Sequence, residues 1–445
     1  VDLGAGAPFT AWLYNGRLPG PEIRLTEGQR LRVKLVNRLP EPTTIHWHGL
    51  PVPNAMDGVP GLTQEAVPPG ESFVYEFEAQ PPGTYIYHSH QAYQLDRGLY
   101  GALIVEPKRP RRSCDREYTL VLEDWAAVDG GGPESPRRSR RGMMGGMGGV
   151  MGGSMGGGMM GRGMMGGMRR RGFRPEVRDP LAPPVYDAYA VNGRSWPAGP
   201  ALEVRRGERV RLRLCNPSSA SIYDLALAGH RLTVTHTDGR PVRPLAVDVV
   251  RLSPGERLDV EFTADNPGRW LLMANDRGWG ESGLRVEVAY RGVQRARPEP
   301  PAFRRDMRLA RYQDLQAAEP APPAGEPGPS YRQVLSGGMH SPWWTINGRV
   351  WPEAEVLRAP RGRRVRLGYL NRSHAPHPMH LHGHFFRLVN PRLRPERWLQ
   401  MDTVLVEPMQ RVEIEFLADN PGRWFHHCHN LYHLMAGMAN EVRVG

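Results

Sequence analysis

Pro69-Gly70-Glu71-Ser72-Phe73-Val74-Tyr75-Glu76-Phe77 is written again as Pro254-Gly255-Glu256-Arg257-Leu258-Asp259-Val260-Glu261-Phe262, and a third time as Pro408-Met409-Gln410-Arg411-Val412-Glu413-Ile414-Glu415-Phe416. Each copy is a turn signal followed by alternating apolar and polar residues, the two-residue period of a strand with one buried face. Each then runs into Pro82-Gly83, Pro267-Gly268 or Pro421-Gly422 and a further strand. A companion element lies upstream of every copy. Tyr14-Asn15-Gly16-Arg17 leads to Leu31–Asn37, Val191-Asn192-Gly193-Arg194 to Val210–Asn216, and Ile346-Asn347-Gly348-Arg349 to Val365–Asn371. Self-similarity of this kind means one structural unit used repeatedly. Strands divided by turns, with no long helical pattern, predict sandwiches or barrels. The chain is therefore expected to be all-β, three consecutive Greek-key β-sandwich domains. The expected limits are 1–108, 109–300 and 301–445, with an insertion at 137–174 in the second.

The repeat also aligns the histidines. Of 16, most fall in four groups: His46-Trp47-His48, His88-Ser89-His90, His377-Pro378-Met379-His380-Leu381-His382, and His427-Cys428-His429 followed by His433 and Met438. Nine and eleven residues beyond the repeat Asn stand His46 and His48 in the first unit, and His380 and His382 in the third. Five and seven beyond the strand-leading Gly stand His88 and His90, and His427 and His429. The middle unit has Leu225, Leu227, Met273 and Asn275 at these places.

Alternate residues on a strand share a face, so each His-x-His pair presents two imidazoles side by side. The four pairs converge if the outer units pack face to face. Eight imidazoles are too many for one metal, so a multinuclear site follows, with copper, iron, nickel or zinc as suitable ions. Alternation sends Cys428 to the opposite face, where it can meet His377 and His433, with Met438 in the following loop. Two His, one Cys and a distant Met form the ligand set of a blue-copper electron-transfer centre. Structural zinc wants four closed ligands, often with paired cysteines, and only one usable thiol is present. His230, His236, His340 and His374 read as isolated core or surface residues. His384 and His426 match no pair and are expected beside the ligands or at the surface.

These four motifs resemble those of the three-domain multicopper oxidases, the laccase and cuprous oxidase group, and the resemblance covers essentially every unit. It implies cupredoxin-like domains and four coppers per chain. His377, Cys428, His433 and Met438 would hold the type 1 copper, and His46 and His380 the type 2 copper. The type 3 pair would take His48, His88 and His429, and His90, His382 and His427. The resemblance further implies one-electron oxidation of a reducing substrate coupled to four-electron reduction of dioxygen to water, with His427, Cys428 and His429 joining the two centres. Asp57, in Met56-Asp57-Gly58, matches an acid that in the family lies near the type 2 copper and helps deliver protons, although Asp before Gly is equally a turn residue. Asp402, in Met401-Asp402-Thr403-Val404, fits a further family pattern for which a structural role is expected. Leu434 stands where some relatives carry a Glu on a second proton route. Ser373 and Ala375 replace the Asp and Met of some cuprous oxidases.

The net charge of +12 is almost all arginine, since Lys34 and Lys108 are the only lysines. The arginines are spread over every segment, as on solvated strand faces. A nucleic-acid binder clusters them and interleaves aromatics on one element, so no nucleic-acid partner is expected. No run of about 18 apolar residues exists, and no membrane span is expected. Val1-Asp2-Leu3-Gly4 lacks the features of a signal peptide, so a periplasmic or secreted protein, as the resemblance implies, would begin here in processed form. Three cysteines are too few for a disulfide framework. Cys114 and Cys215 could pair, although a buried strand thiol is the simpler reading of Cys215.

Residues 142–168 hold ten Met and fourteen Gly, flanked by Arg137, Arg138, Arg140, Arg141, Arg169, Arg170 and Arg171. Such glycine density supports neither helix nor core. Thioether sulfur selects Cu(I), so a copper-gathering loop is expected, although the flanking charge disfavours a cation. The whole reads as a monomeric oxidase that takes phenols, aromatic amines and Cu(I) as reductants and dioxygen as acceptor. The alternative is a copper-sequestering protein whose methionines store Cu(I), which would bind copper without consuming dioxygen. A structural envelope protein on the same scaffold would have lost ligands, and none is missing.

Overall fold

Each Asn-Gly pair of the repeat makes a tight turn. Asn15, Asn192 and Asn347 adopt φ of 52°, 52° and 53°, and Gly16, Gly193 and Gly348 follow at 67°, 75° and 76°. Two consecutive positive φ values define the type I′ turn, whose twist matches that of paired strands. Tyr14, Val191 and Ile346 accordingly bridge to Arg17, Arg194 and Arg349. The computed structural model describes residues 1–6, 8–109, 114–126, 186–275, 283–293, 297–320, 325–338 and 341–445. The methionine-rich segment and His340 lie outside these residues.

The two repeated strand elements pair with each other in every unit. Arg30–Val36 runs antiparallel to Ser72–Glu78, Arg209–Cys215 to Arg257–Thr263, and Arg363–Asn371 to Arg411–Leu417. The repeat Asn sits where the chain leaves this sheet for the opposite one, and its role is now visible. The side-chain amide of Asn37 donates to the carbonyls of Glu41 and Val67, that of Asn216 to Ser221 and Leu252, and that of Asn371 to Ala375 and Val406. Their Oδ1 atoms accept from the backbone N–H of Leu39, Ser218 and Ser373. A fully buried amide with partners at both ends pins the crossover, because any other rotamer strands polar groups away from water.

The chain is all-β, with cupredoxin-like sandwiches. The first unit sets a two-stranded sheet against a four-stranded one; the second and third each set six strands against five. Each unit closes its second sheet with a parallel pair: Gly20–Thr26 on Tyr100–Glu106, Leu202–Val204 on Arg285–Tyr290, and Leu357–Ala359 on Ala439–Val444. Leu431–Met435 is the one α-helix among the described residues, and none of these is long and apolar enough to cross a membrane. Segment 297–320 runs along the middle unit, bridging Leu309 to Val249 and Ala317 to Val242, before Glu326–Gly338 opens the third.

One apolar cluster runs through the second and third units, while Trp47, Tyr75 and Phe77 help to fill the first. A further cluster containing Leu3, Ile86, Trp125, Cys215 and Leu431 draws on all three. Val59 and Leu62 of the first unit pack on Phe425 and Ala439 of the third. The outer units therefore meet directly. Cys114 and Cys215 are separate free thiols. Several arginines are not solvated as the composition suggested: Arg213 and Arg257 are buried within the middle unit.

Candidate metal centre

The facing sheets of the outer units bring their histidines into register. His46 pairs with His88 across the strands His46–His48 and Gly83–His88, and His380 pairs with His427 across His377–Leu381 and Gly422–Cys428. Across the interface the rings stack, His46 on His382 at 3.9 Å between centroids and His48 on His380 at 3.8 Å. Eight imidazoles thus enclose one space: His46, His48, His88, His90, His380, His382, His427 and His429.

Their hydrogen bonds fix which nitrogen faces inward. His46 Nδ1 donates to the Asp57 carbonyl at 2.8 Å, His88 Nδ1 to Ser89 at 2.9 Å, His380 Nδ1 to Asp402 at 2.8 Å and His427 Nδ1 to Cys428 at 3.0 Å. His382 Nδ1 donates to Asp57 Oδ2 at 3.0 Å, and His48 Nε2 to Asp402 Oδ1 at 3.1 Å. A neutral imidazole carries one N–H, so the second nitrogen of each ring keeps a bare lone pair. His46 Nε2, His48 Nδ1, His88 Nε2 and His380 Nε2 are buried without a partner, as are both ring nitrogens of His429. His427 Nε2 stands 3.0 Å from His382 Nε2 and 3.4 Å from His90 Nε2. With the protons of His382 and His427 held on the outside, these lone pairs face each other, an arrangement that suits a cation held between the rings. Burial also keeps the rings neutral, pulling His88 down to about 3 and lowering His48, His90, His382, His427 and His429, with neighbouring imidazoles adding to the effect. Neutral imidazole is the ligand form. The donor set fits copper.

A second centre lies on the other face of the same strand. Cys428 Sγ is 3.6 Å from His377 Nδ1 and 3.5 Å from His433 Nδ1, and the two nitrogens are 3.0 Å apart. Met438 is fully buried nearby in sequence, its N–H bonded to the His433 carbonyl and its carbonyl to the Cys428 N–H. His377 Nε2 meets the Ser373 hydroxyl at 2.8 Å, and that hydroxyl reaches Asn371 Oδ1, so the repeat Asn also orients this ring. Burial lowers His377 to about 3 and raises the Cys428 thiol. A thiol held so high is not the metal-binding form; a bound cation would reverse this by taking the thiolate.

Eleven of the twelve residues anticipated as ligands thus gather around two centres, with Met438 joined to the second through its backbone bonds to Cys428 and His433, and Asp57 stands against the first, fully buried, with its second oxygen 3.3 Å from His46 Nδ1. Among the described residues, the other histidines do not join them. His230 is held by the Ala228 carbonyl and the Tyr290 hydroxyl, and His374 is exposed. His384 and His426 are buried, not superficial; His426 lies between Tyr369 and Asn440, and His384 donates to the His382 carbonyl. Sequence reasoning missed Ser373 as a partner of His377. It also missed Trp344, whose ring lies 4.1 Å from that of His433, and Thr403, whose hydroxyl lies 3.1 Å from both His48 Nε2 and His380 Nδ1.

Family profiles described as multicopper oxidase match residues 3–110, 165–291 and 325–445. The chain is 34% identical to the multicopper oxidase MmcO of Mycobacterium tuberculosis, over 99% of this chain and 84% of that protein. It is 27% identical to a copper resistance protein A homolog of Pseudomonas syringae pv. tomato, over 99% and 90% of the respective lengths. Among solved structures, a multi-copper oxidase from Pseudomonas thermotolerans aligns with a TM-score of 0.71 at 28% identity, over 100% of this chain and 96% of that one.

Proposed function

The chain belongs to the multicopper oxidases, with copper as cofactor, and from that premise we propose that it draws electrons singly from phenols, aromatic amines and Cu(I) and reduces dioxygen to water. The observation that carries this reading is the back-to-back placement of a thiol centre and a nitrogen-only cluster on one three-residue stretch, His427-Cys428-His429. On this reading His377, Cys428, His433 and Met438 hold one copper, and His46 and His380 a second. His48, His88 and His429 share the remaining two with His90, His382 and His427. When bound, copper would supply the one-electron redox chemistry at the thiol centre and the dioxygen-reducing chemistry at the cluster.

The chain's own residues do the rest. The backbone from Cys428 to either neighbour is the shortest covalent connection between the two centres. Ser373 occupies the outer nitrogen of His377, so His433 is the ring left to face a donor. Trp344 lies over it, and Trp343 and Met435 close by in sequence to Trp344 and His433 are 52% and 38% exposed. An aromatic and thioether surface suits a phenol ring and Cu(I); the copper resistance relative favours the second. Asp57, one imidazole from the cluster through His382, is assigned to proton supply. The same reading puts a monomer in the periplasm or outside the cell, as the resemblance implies.

Oxygen uptake tests it. The copper-loaded chain should consume dioxygen with a phenol and with Cu(I); a chain that binds copper but consumes none is a store, and the reading fails. Deleting 142–168 should lower Cu(I) oxidation more than phenol oxidation, and equal effects remove the methionines from the account.

A further inference from the structure

The middle unit carries no histidine pair, yet it touches the cluster. A Cβ added at Gly255 would stand 2.9 Å from His429 Cγ and Cδ2 and 3.0 Å from His48 Cε1. Two residues on, the guanidinium of Arg257 is wholly buried and bonds all three units. Its Nη1 and Nη2 donate to Oδ1 and Oδ2 of Asp402 at 2.8 and 2.5 Å, its Nε to the Thr84 carbonyl at 3.1 Å, and Nη1 also to the Gly255 carbonyl at 2.8 Å. Asp238, also of the middle unit, accepts from the backbone N–H of Asp402 and of Thr403, each at 3.1 Å, and from that of Arg257 at 3.0 Å. Asp402 Oδ1 then receives the Thr403 hydroxyl at 2.9 Å and His48 Nε2 at 3.1 Å, while its carbonyl receives His380 Nδ1.

We propose that Arg257 and Asp238 of the middle unit are positioning residues for the copper cluster, clamping Asp402 and Thr403 so that His48 presents Nδ1 and His380 presents Nε2 to the metals. The inference rests on the copper reading above. The orientation of His48 carries it. Five cluster imidazoles, His46, His88, His380, His382 and His427, donate outward through Nδ1, whereas His48 alone among those with an outward bond donates through Nε2. An ionised carboxylate only accepts, so Asp402 forces the proton onto His48 Nε2 and leaves Nδ1 bare. A bidentate guanidinium fixes the plane of that carboxylate and balances a charge that could not be buried alone. Outer partners of this kind set tautomer and ring angle, and losing one weakens metal binding by about ten- to a hundredfold.

The test titrates the copper-free full chain with Cu(II), then reads copper per chain after dialysis, the blue thiolate absorption and the electron paramagnetic resonance of the cluster copper. Asp402→Asn and Thr403→Val should keep the blue absorption, bind cluster copper about ten- to a hundredfold more weakly and show altered resonance parameters. Arg257→Lys should behave likewise. Arg213→Lys, a buried arginine of the same sheet that bonds Thr84 and Asp259 instead, should keep its copper. If Asp402→Asn fails to fold, Thr403→Val, which preserves shape, decides. Wild-type cluster affinity and resonance in Thr403→Val, or equal copper loss in Arg213→Lys, overturns the inference. An unaltered chain that takes up no cluster copper overturns the copper reading first and the inference with it.

Discussion

Three equivalent turn positions offer a graded test of where the middle unit presses on the cluster. Gly70, Gly255 and Met409 occupy the same place in the repeat, and all lie in the left-handed region, at φ of 84°, 87° and 60°. That conformation costs a residue with a Cβ about 1–2 kcal/mol. Around Gly70 nothing lies within 4 Å of an added Cβ, so Gly70→Ala should cost only that backbone penalty. At Gly255 the methyl would meet the rings of His429 and His48 at 2.9 and 3.0 Å, inside van der Waals contact, and overpacking adds about 1–3 kcal/mol. Gly255→Ala should therefore cost about 2–5 kcal/mol, or push the imidazoles and forfeit cluster copper instead. Met409, 58% exposed, already bears the backbone penalty, so Met409→Gly should return about 1 kcal/mol. Urea unfolding of the copper-free chain, followed by tryptophan fluorescence and paired with copper content of the loaded chain, ranks the three. A Gly255→Ala variant no less stable than Gly70→Ala, with its copper intact, would refute the claim that the middle unit forms a wall of the cluster.

Cys428→Ser should abolish the blue absorption and the oxidase activity while the cluster keeps its copper; persistent colour would mean that the thiolate lies elsewhere. Asn216→Leu removes the amide donors to the Ser221 and Leu252 carbonyls and the acceptor of the buried Ser218 N–H, and should cost about 2–4 kcal/mol; a loss below about 1 kcal/mol in denaturation would show that the crossover is held by other means. Glu123, wholly buried and bonded by Tyr100 and Gly193, is raised by burial from 4.5 to about 7. The folded chain then holds more protons than the unfolded one between those values, so this group's contribution to stability falls as pH rises through the window, by at most about 3 kcal/mol. Glu123→Gln should flatten that slope in thermal melts from pH 4.5 to 7; an unchanged slope assigns the pH dependence to another group.

The repeat was readable because both of its signals are local. Asn-Gly turns need positive φ at two residues, and Val210, Leu212 and Leu214 alternate as a half-buried strand must, all three being fully buried. The histidine clusters were readable because register carried the pairs together. What stayed hidden depends on contacts between units. Ser72, Arg257 and Arg411 are equivalent in the repeat and the same period describes them, yet Ser72 and Arg411 are exposed while Arg257 is wholly buried. No periodicity separates them, since burial there is decided by what packs on the sheet. Asp238 lies in a Thr-Asp-Gly turn and reads as an ordinary loop acid for the same reason. Asp402 reads as a structural acid in Met401-Asp402-Thr403-Val404, and its bond to His48 exists only because the first and third units meet.

This asymmetry among the copies has a physical logic. A cluster whose ligands come half from one sandwich and half from another sits in an interface, and an interface between two rigid bodies can loosen by small rotations. Stacked rings such as His46 on His382 resist separation weakly, because neutral imidazoles attract little. The middle copy has filled its own pocket with Leu225 and Leu227, both buried, and so gives up ligands. In exchange, its Arg257 fastens Thr84 of the first unit to Asp402 of the third through charge-assisted bonds that rotation would break at once. An ion pair this deep is costly to bury and weakly stabilising for the fold as a whole; its retention at this spot makes most sense as the fixing of one relative orientation of the two outer units, the orientation in which eight lone pairs share a centre.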